Sequence, residues 1–129
     1  NSGNAGVFSN AEDLSILAAA LMNEGEYNGK RVLGKLTLET MTRVPAQVIS
    51  EGRSLGWDNY SSYASNNGNM FHPERTFGHT GYTGTSFIVD PVSKTAVILL
   101  AHRVHPVDKG SVVRLRALVA NAVAGSVIK

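Results

Sequence analysis

The 129 residues suffice for one domain with a modest core, and they include no cysteine for a disulfide or a thiolate metal site. Hydrophobic residues make up 43% and charged residues 17%, a balance that excludes a wholly disordered chain. The net charge is +2 without a dense run of Lys or Arg, and no apolar run approaches the ~20 residues of a membrane span. Composition therefore favours neither a nucleic-acid-binding protein nor a membrane-spanning one.

The first predicted element is a helix over residues 10–23, after a small, flexible start at residues 1–8. Ser9 and Glu12 have the spacing of a capping box, in which each side chain satisfies a backbone donor at the start of a helix. Apolar residues then recur at helical spacing, and we expect their stripe to face the core unless a further part of the protein covers it. They are Leu14, Leu17, Ala18 and Leu21.

Short elements are predicted in the middle of the chain. Asn28-Gly29 accepts the positive φ angles of a type I′ turn and predicts a very short hairpin. A second helix is predicted over residues 35–43, with Leu38 and Met41 inward and Pro45 ending it. Two further segments lie between this helix and the strands. Residues 55–57 (Leu-Gly-Trp) are expected to form a short strand, with Trp57 in the core or lining a groove, and residues 61–69 indicate a loop.

The second half of the chain predicts strands. Extended segments are expected over residues 77–82, 85–90 and 96–102, and the last, which is continuously apolar, is expected to be buried on both faces. The short link over residues 91–95 favours an antiparallel pair.

A final helix is predicted after these strands, with Asp108 or Ser111 as its cap and Gly125 after its last turn. We expect Arg114 and Arg116 on its solvated face. The opposite, apolar face would consist of Val112, Leu115, Leu118, Val119, Ala122 and Val123. Because strands group apart from helices, the sequence indicates a single α+β domain.

The segment with the clearest chemistry runs from Gly78 to Tyr82. It combines glycines, which let a ligand approach the backbone, with a proton-active ring at His79 and a hydroxyl at Thr80. An edge strand of this kind could bind an extended substrate through its main chain. Taken alone, the pattern also fits a turn histidine with a structural hydrogen bond.

The stretch FGHTGYTGTSFIVDP, followed by AVILLAHRVHP and a terminal helix, resembles the last part of a serine hydrolase family. That family comprises class C β-lactamases, penicillin-binding proteins and family VIII esterases, in which a Lys-Thr-Gly or His-Thr-Gly strand lines the active site. The upstream stretch AGVFSNAEDLSILAAALMNEG and the LGW around residue 57 also resemble it, so the likeness spans residues 1–125. It implies a partial β-lactamase/DD-peptidase-like fold, with helices, antiparallel strands and a C-terminal helix packed on the sheet.

The resemblance gives roles to four residues of this segment. His79 corresponds to the Lys or His that shapes the electrostatics of the nucleophile, and Thr80 to the hydroxyl that helps to hold the substrate's carboxylate or carbonyl. Gly81 corresponds to the glycine that keeps the strand open to the ligand. The backbone N–H of Tyr82 would be one of the two donors of the oxyanion hole, where removing a donor typically costs about 3 kcal/mol.

Two motifs of the family are expected to be missing from these residues. The nucleophile of the family lies in Ser-x-x-Lys, and the second motif is Tyr-x-Asn; neither Tyr60 nor Tyr63 matches the latter. No lysine follows three residues after Ser9, Ser50, Ser54, Ser61, Ser62, Ser65, Ser86 or Ser111. We therefore expect residues 1–129 to be one C-terminal segment, inactive alone, that relies on an absent N-terminal part with the nucleophile.

Several functions remain open at this point. The resemblance favours a serine hydrolase of the bacterial envelope, periplasmic or exported, that acts by acyl transfer on a small-molecule or peptidoglycan-type substrate without a cofactor. The alternatives are a non-catalytic penicillin-binding-like module for cell wall or peptides, and an unrelated interaction domain. No metal site is expected, because His102 and His105 would point to opposite faces of a strand. The substrate, the oligomeric state, any fused upstream domain and the start at Asn1 stay undetermined.

We predict that this segment by itself self-associates or exchanges elements between copies. Surfaces that the rest of the protein would cover are then exposed, and large exposed apolar patches drive association. Static light scattering measures the mass in solution, and a clean monomer at high concentration would contradict this prediction.

Overall fold

A computed structural model describes residues 5–128 and shows helices on both sides of an antiparallel sheet, which confirms the predicted α+β class. Residues 1–4, part of the predicted flexible start, lie outside the described residues. Within residues 5–128, no helix is long and apolar enough to cross a membrane.

The first helix, α1, runs from Ala11 to Met22, within the predicted range. The predicted capping box is wrong in its residue: Asn10 is the N-cap, and its side-chain oxygen accepts a hydrogen bond from the Asp13 N–H at 2.9 Å. Asparagine is as strong an N-cap as serine, so a shift of one residue loses nothing. Ala18 and Leu21 are buried, but Leu17, predicted inward, is exposed.

The hairpin and the second helix form where they were predicted. Strands β1 (Glu26–Tyr27) and β2 (Lys30–Arg31) pair in antiparallel fashion, and Asn28 and Gly29 between them both have positive φ. Helix α2 (Lys35–Thr42) buries Leu38 but leaves Met41 only partly buried.

Three antiparallel strands form the main sheet, in the order β3-β4-β5. They are β3 (Phe77–Thr80), β4 (Ser86–Asp90) and β5 (Thr95–Leu99), so the predicted antiparallel pairing is confirmed. The expectation that the last strand is buried on both faces is wrong, because only Val97 of β5 is buried. A three-stranded sheet leaves that strand at an edge, where one side stays partly open.

Each face of the sheet has its own hydrophobic core, because neighbouring strand residues point to opposite faces. Val89 of β4 packs with Phe77 and with buried residues of α1 and α2. Ile88, its neighbour, packs on the other face with Val97 and with Ala120 of the last helix. Helices thus cover both faces, and the sheet is the middle layer.

The last helix, α3 (Val113–Ser126), packs on the sheet as predicted, but with a different face inward. Leu115 and Leu118 are exposed, whereas Arg116, expected in solvent, is 6% exposed. Its inward face consists of Arg116, Val119, Ala120 and Val123. The buried arginine has backbone partners that helical periodicity does not reveal. The helix also continues past Gly125, and neither Asp108 nor Ser111 is its N-cap, which is Val112.

Residues 55–57 do not form the predicted strand. They lie in a turn closed by a bridge between Arg53 and Asp58, and Gly56 has positive φ. Trp57 packs on Phe77 and Phe87 with ring centroids 5.1 and 6.0 Å away, so it is core. Residues 61–69 contain a short 3₁₀ helix, Ala64–Asn67, within the predicted loop, and another covers Ala46–Glu51.

Replacing the N-cap tests the start of α1. We expect Asn10→Ala to lower the free energy of unfolding by about 1 kcal/mol, because the Asp13 N–H loses its acceptor. The control Ser9→Ala should leave it unchanged, since the Ser9 hydroxyl reaches only the Asn10 carbonyl, at 3.4 Å. Urea unfolding measures both variants. A larger loss of unfolding free energy in Ser9→Ala than in Asn10→Ala would show that Ser9 is the cap.

Candidate functional site

The predicted site residues lie together at the end of β3 and in the turn that follows it. His79 and Thr80 are the last residues of β3, and Gly81 and Tyr82 begin the turn to β4. The Gly84 N–H donates to Gly81 O at 3.1 Å and closes this turn. We call residues Gly81–Gly84 the β3–β4 turn.

The outer edge of β3 is closed at one end and open at the other. Gly78 exchanges two backbone hydrogen bonds with Asp58, of 2.8 and 3.0 Å. In antiparallel pairing the backbone direction alternates, so the backbone of Thr80 also faces away from β4. Among the described residues, no acceptor lies within hydrogen-bond distance of the Tyr82 N–H. Along the edge from Thr80 to Tyr82, the N–H groups of these two residues therefore have no partner among the described residues, whereas the Thr80 carbonyl lies 2.9 Å from His79 Nδ1.

The hydrogen bonds of His79 define its tautomer. Its Nδ1 lies 2.9 Å from Thr80 O, and its Nε2 lies 3.1 Å from Arg53 Nη2. A carbonyl oxygen only accepts and a guanidinium only donates, so Nδ1 carries the proton and Nε2 accepts. In this arrangement the guanidinium of Arg53 supplies the positive charge beside the ring.

Arg53, Asp58 and Tyr63 join His79 and Thr80 around a cleft of about 290 Å³. Arg53 Nη1 also lies 3.7 Å from the Asp58 carboxylate. The sequence analysis did not predict these three as site residues, because their approach to His79 depends on the chain turn at Gly56. The sequence signal that could have indicated Arg53 and Asp58 is their pair of opposite charges on either side of Gly56.

The two glycines of the segment differ in what a side chain at each position would contact. A Cβ on Gly81 would lie 2.3 Å from Thr85 Oγ1, and one on Gly78 would lie 2.4 Å from the Phe87 carbonyl oxygen. The second contact is with backbone, which has no room to move. The close pairing of β3 and β4 therefore needs Gly78 whatever ligand the edge binds.

Arg103 and Asp108 hold the Tyr82 side of the turn. Arg103 Nε donates to Tyr82 O at 2.9 Å, its N–H to Thr83 O at 2.7 Å, and its guanidinium lies 4.5 Å from the centre of the Tyr82 ring. Asp108 accepts from the Tyr82 hydroxyl and, at 2.6 Å, from Arg103 Nη1. The Tyr82 hydrogen bond, followed by the charge of Arg103, lowers the pKa of Asp108.

Arg116 holds the turn from the side of α3. It donates to Gly81 O at 2.7 Å, to Gly84 O at 3.1 Å and to Asn66 Oδ1 at 3.1 Å. Within the described part of the chain it forms no ion pair with a carboxylate. Burial, and then the charge of Arg103, lower the pKa of Arg116.

One Ser-x-x-Lys spacing does occur, at Ser126 and Lys129, so the expectation that the chain lacks this spacing is wrong. Ser126 is the last residue of α3, and its hydroxyl donates to Val123 O at 2.7 Å. Val127 is already extended, so the helical geometry that brings residues three apart onto one face ends at Ser126. Lys129 lies outside the described residues.

His102 and His105 do not lie on a strand, so the argument that they point to opposite faces is wrong. They follow β5, and their ring centroids are 6.3 Å apart. Among residues 5–128, no group of three or more His, Asp or Glu side chains is placed to bind a metal ion.

Comparisons with protein-family models and with individual proteins match this chain to related groups. The family model described as Beta-lactamase matches residues 1–121. Proteins named "Putative D-alanyl-D-alanine carboxypeptidase" from Salmonella gallinarum, Salmonella typhi and Escherichia coli O157:H7 are 35%, 34% and 32% identical over 106 residues. The aligned part covers 81% of this chain and 24% of each relative, so the chain matches about a quarter of their length.

Removing the Tyr82 hydroxyl tests the contact with Asp108. The lowered pKa means that the folded chain binds fewer protons than the unfolded one just below the ordinary value of about 3.9. The resulting stability is present above that value and is lost as the pH falls through the folded pKa. We expect Tyr82→Phe to raise the Asp108 pKa, because the tyrosine bond is the largest cause of the shift.

Carbon-13 NMR titration of the Asp108 carboxyl measures this pKa. Tyr60→Phe removes a tyrosine hydroxyl elsewhere and should leave it unchanged. An unchanged pKa in Tyr82→Phe would assign the whole shift to Arg103.

Proposed function

The chain belongs to the β-lactamase family, and on that premise we propose that its β3 edge forms one wall of the active site of a serine hydrolase. The proposed substrate is a peptide ending in D-alanyl-D-alanine, as the names of the carboxypeptidase relatives suggest. The observation that carries the proposal is the open edge from Thr80 to Tyr82 beside His79 and Arg53. In the whole protein this segment would be the C-terminal part of one catalytic domain.

The open edge supports binding of an extended acyl chain. A substrate in extended conformation could pair with the outward-facing backbone of Thr80, as peptides do when they add a strand to a sheet. Asp58 already occupies the edge at Gly78, so the pairing would be limited to the open end. That limit suits a short segment near a scissile bond.

The Tyr82 N–H supports the chemical step. In the proposed reaction a serine oxygen attacks the carbonyl carbon, and the carbonyl oxygen becomes negatively charged in the tetrahedral intermediate. The Tyr82 N–H would stabilise that charge as one oxyanion donor. Collapse of the intermediate breaks the C–N bond, D-alanine leaves as the amine with the proton that the serine gave up, and water then hydrolyses the acyl-serine to the free acid and serine.

Arg53 supports recognition of an anionic substrate. In the family the motif can begin with a lysine, whereas here it begins with His79, whose Nε2 accepts a hydrogen bond from the Arg53 guanidinium. The positive charge therefore lies on Arg53, one hydrogen bond away from the first residue of the motif, and in the same cleft as Thr80. Together, Arg53 and the Thr80 hydroxyl would bind the terminal carboxylate.

The remaining groups would come from outside these 129 residues. We propose that the nucleophile of a Ser-x-x-Lys motif and the Tyr-x-Asn motif lie elsewhere in the full-length protein, whose relatives are about four times longer than the aligned part. A peptidoglycan-type substrate would place the protein in the bacterial envelope, periplasmic or exported. The chemistry proposed uses side chains and backbone only, without a cofactor.

Activity of the full-length polypeptide tests this proposal. We expect it to release D-alanine from diacetyl-L-lysyl-D-alanyl-D-alanine and to form an acyl adduct with nitrocefin, whereas residues 1–129 alone do neither. His79→Ala should lower kcat/KM roughly 10- to 100-fold, because Arg53 loses the hydrogen bond that holds it in the cleft, and a bond to a charged group contributes about 1.5–3 kcal/mol. The matched control is His102→Ala, an exposed histidine outside the cleft.

Two outcomes would contradict the proposal. Wild-type kcat/KM in His79→Ala would remove this histidine from the site. Binding of the peptide by the full-length protein without release of D-alanine would favour the non-catalytic binding module instead.

A further inference from the structure

All carbonyl groups of the β3–β4 turn accept hydrogen bonds from two arginines. Arg116 approaches from α3 and Arg103 from the segment after β5, so two separate parts of the fold meet at one turn. The bonds are Arg116 Nη2 to Gly81 O at 2.7 Å, Arg103 Nε to Tyr82 O at 2.9 Å, Arg103 N to Thr83 O at 2.7 Å, and Arg116 Nε to Gly84 O at 3.1 Å.

The 2.7 Å bond from Arg116 to Gly81 O fixes the direction in which the Tyr82 N–H points. Gly81 C=O and Tyr82 N–H belong to the same planar peptide unit, and in a trans peptide they point in opposite directions. Among the described residues only the bond before Pro106 is cis, so this peptide unit is trans. With Arg116 bonded to Gly81 O, the Tyr82 N–H must point away from the turn.

We infer that Arg116 and Arg103 are positioning residues that set the orientation of the Tyr82 N–H, and that Arg116 also strengthens it as a donor. This inference rests on the proposed function, in which that N–H binds the developing oxyanion. A charged group bonded to a carbonyl polarises the peptide unit and makes its N–H a better donor. Preorganised donors of this kind need no reorganisation during the reaction.

Stability alone does not explain an arginine at position 116. The side chain is 6% exposed, and within residues 5–128 it forms no ion pair. Burying a charge is costly, and apolar residues of similar volume often replace buried ions without loss of stability. Its acceptors are two carbonyls of the turn and the Asn66 amide oxygen. The guanidinium therefore holds the turn in one geometry.

Arg103 controls the other side of the same residue. Its Nε bond to Tyr82 O fixes the peptide unit after Tyr82, and its backbone N–H binds the next carbonyl. Asp108 orients the guanidinium through a 2.6 Å bond. With the peptide units before and after Tyr82 both fixed, the residue has little freedom to turn its N–H.

Conservative substitutions in the full-length polypeptide test the inference. Arg116→Lys keeps the charge but loses the fork that reaches two carbonyls, and Arg103→Gln removes the second anchor without emptying the interior. The matched control is Arg114→Lys, an exposed arginine on the same helix. We expect Arg116→Lys and Arg103→Gln to slow acylation by nitrocefin roughly 10- to 100-fold, with KM within about threefold of wild type.

A boronic acid inhibitor separates positioning from a structural role. It forms a tetrahedral adduct whose oxygen occupies the oxyanion position, so its affinity should fall in parallel with the acylation rate. A merely structural role would change thermal stability and KM together and would not weaken the boronate selectively. Wild-type acylation and boronate affinity in both variants would overturn the inference.

Amide measurements distinguish failure of this inference from failure of the proposed function. The Gly84 N–H donates to Gly81 O, so its hydrogen exchange should accelerate at least about tenfold in Arg116→Lys, and the Tyr82 amide shift should move. If the wild type is neither acylated nor active and these signals still change, the positioning stands and the hydrolase proposal fails. If neither signal changes in Arg116→Lys, the positioning is wrong whatever the activity.

Discussion

The hydrogen bonds of Arg116 are the interaction on which the candidate site depends most. The guanidinium lies between α3 and the β3–β4 turn and donates to Gly81 O and Gly84 O. Because a buried guanidinium has no water to bond instead, these contacts cannot be given up without leaving a desolvated charge unpaired. The turn is therefore tied to α3, and its geometry is set by the helix as much as by the strands.

The sheet supplies the second constraint, which is the approach of Arg53 and Asp58 to β3. Trp57 packs on Phe77 and Phe87, rings from two strands of the same face. That aromatic contact fixes the short turn in which Asp58 bonds to Gly78 and Arg53 reaches His79. Core packing on one face thus places the charged groups of the cleft beside the strand edge.

The two constraints act on different sides of β3 and of the turn that follows it. One side of the turn is occupied by arginines that bind carbonyls, and the other presents backbone donors without a partner among residues 5–128. The ring of His79 lies at the boundary, with Nδ1 toward Thr80 O and Nε2 toward Arg53. Arg53 and Arg103 each pair with a carboxylate, so of the three arginines at this edge Arg116 is the one without a carboxylate partner among residues 5–128, and its charge suits a developing negative charge.

Local sequence determined the elements whose signals are local. Asn28-Gly29 specifies the hairpin because few other residues adopt positive φ, the α1 periodicity specifies a helix, and the extended pattern from Phe77 specifies β3. Asn10 rather than Ser9 is the cap because its side-chain oxygen accepts from the Asp13 N–H, whereas the Ser9 hydroxyl reaches only a carbonyl oxygen. Segments without periodicity, such as residues 55–57, were not predictable, since their turn depends on packing of Trp57.

Only the tertiary structure decided which residues complete the site. Arg116 has the pattern of a solvated helix residue, yet it is buried because α3 packs against the β3–β4 turn. Its partner Gly81 lies 35 residues away in sequence, beyond the reach of a local pattern. The contact of Arg53 with His79 spans 26 residues and is likewise not visible in a local pattern. Periodicity and motifs report which face a residue favours on average, whereas backbone carbonyls that turn inward carry no sequence signal. The sequence by itself therefore determined the fold class and the resemblance to the family, and the packing of α3 and Trp57 decided which residues surround the segment from Gly78 to Tyr82.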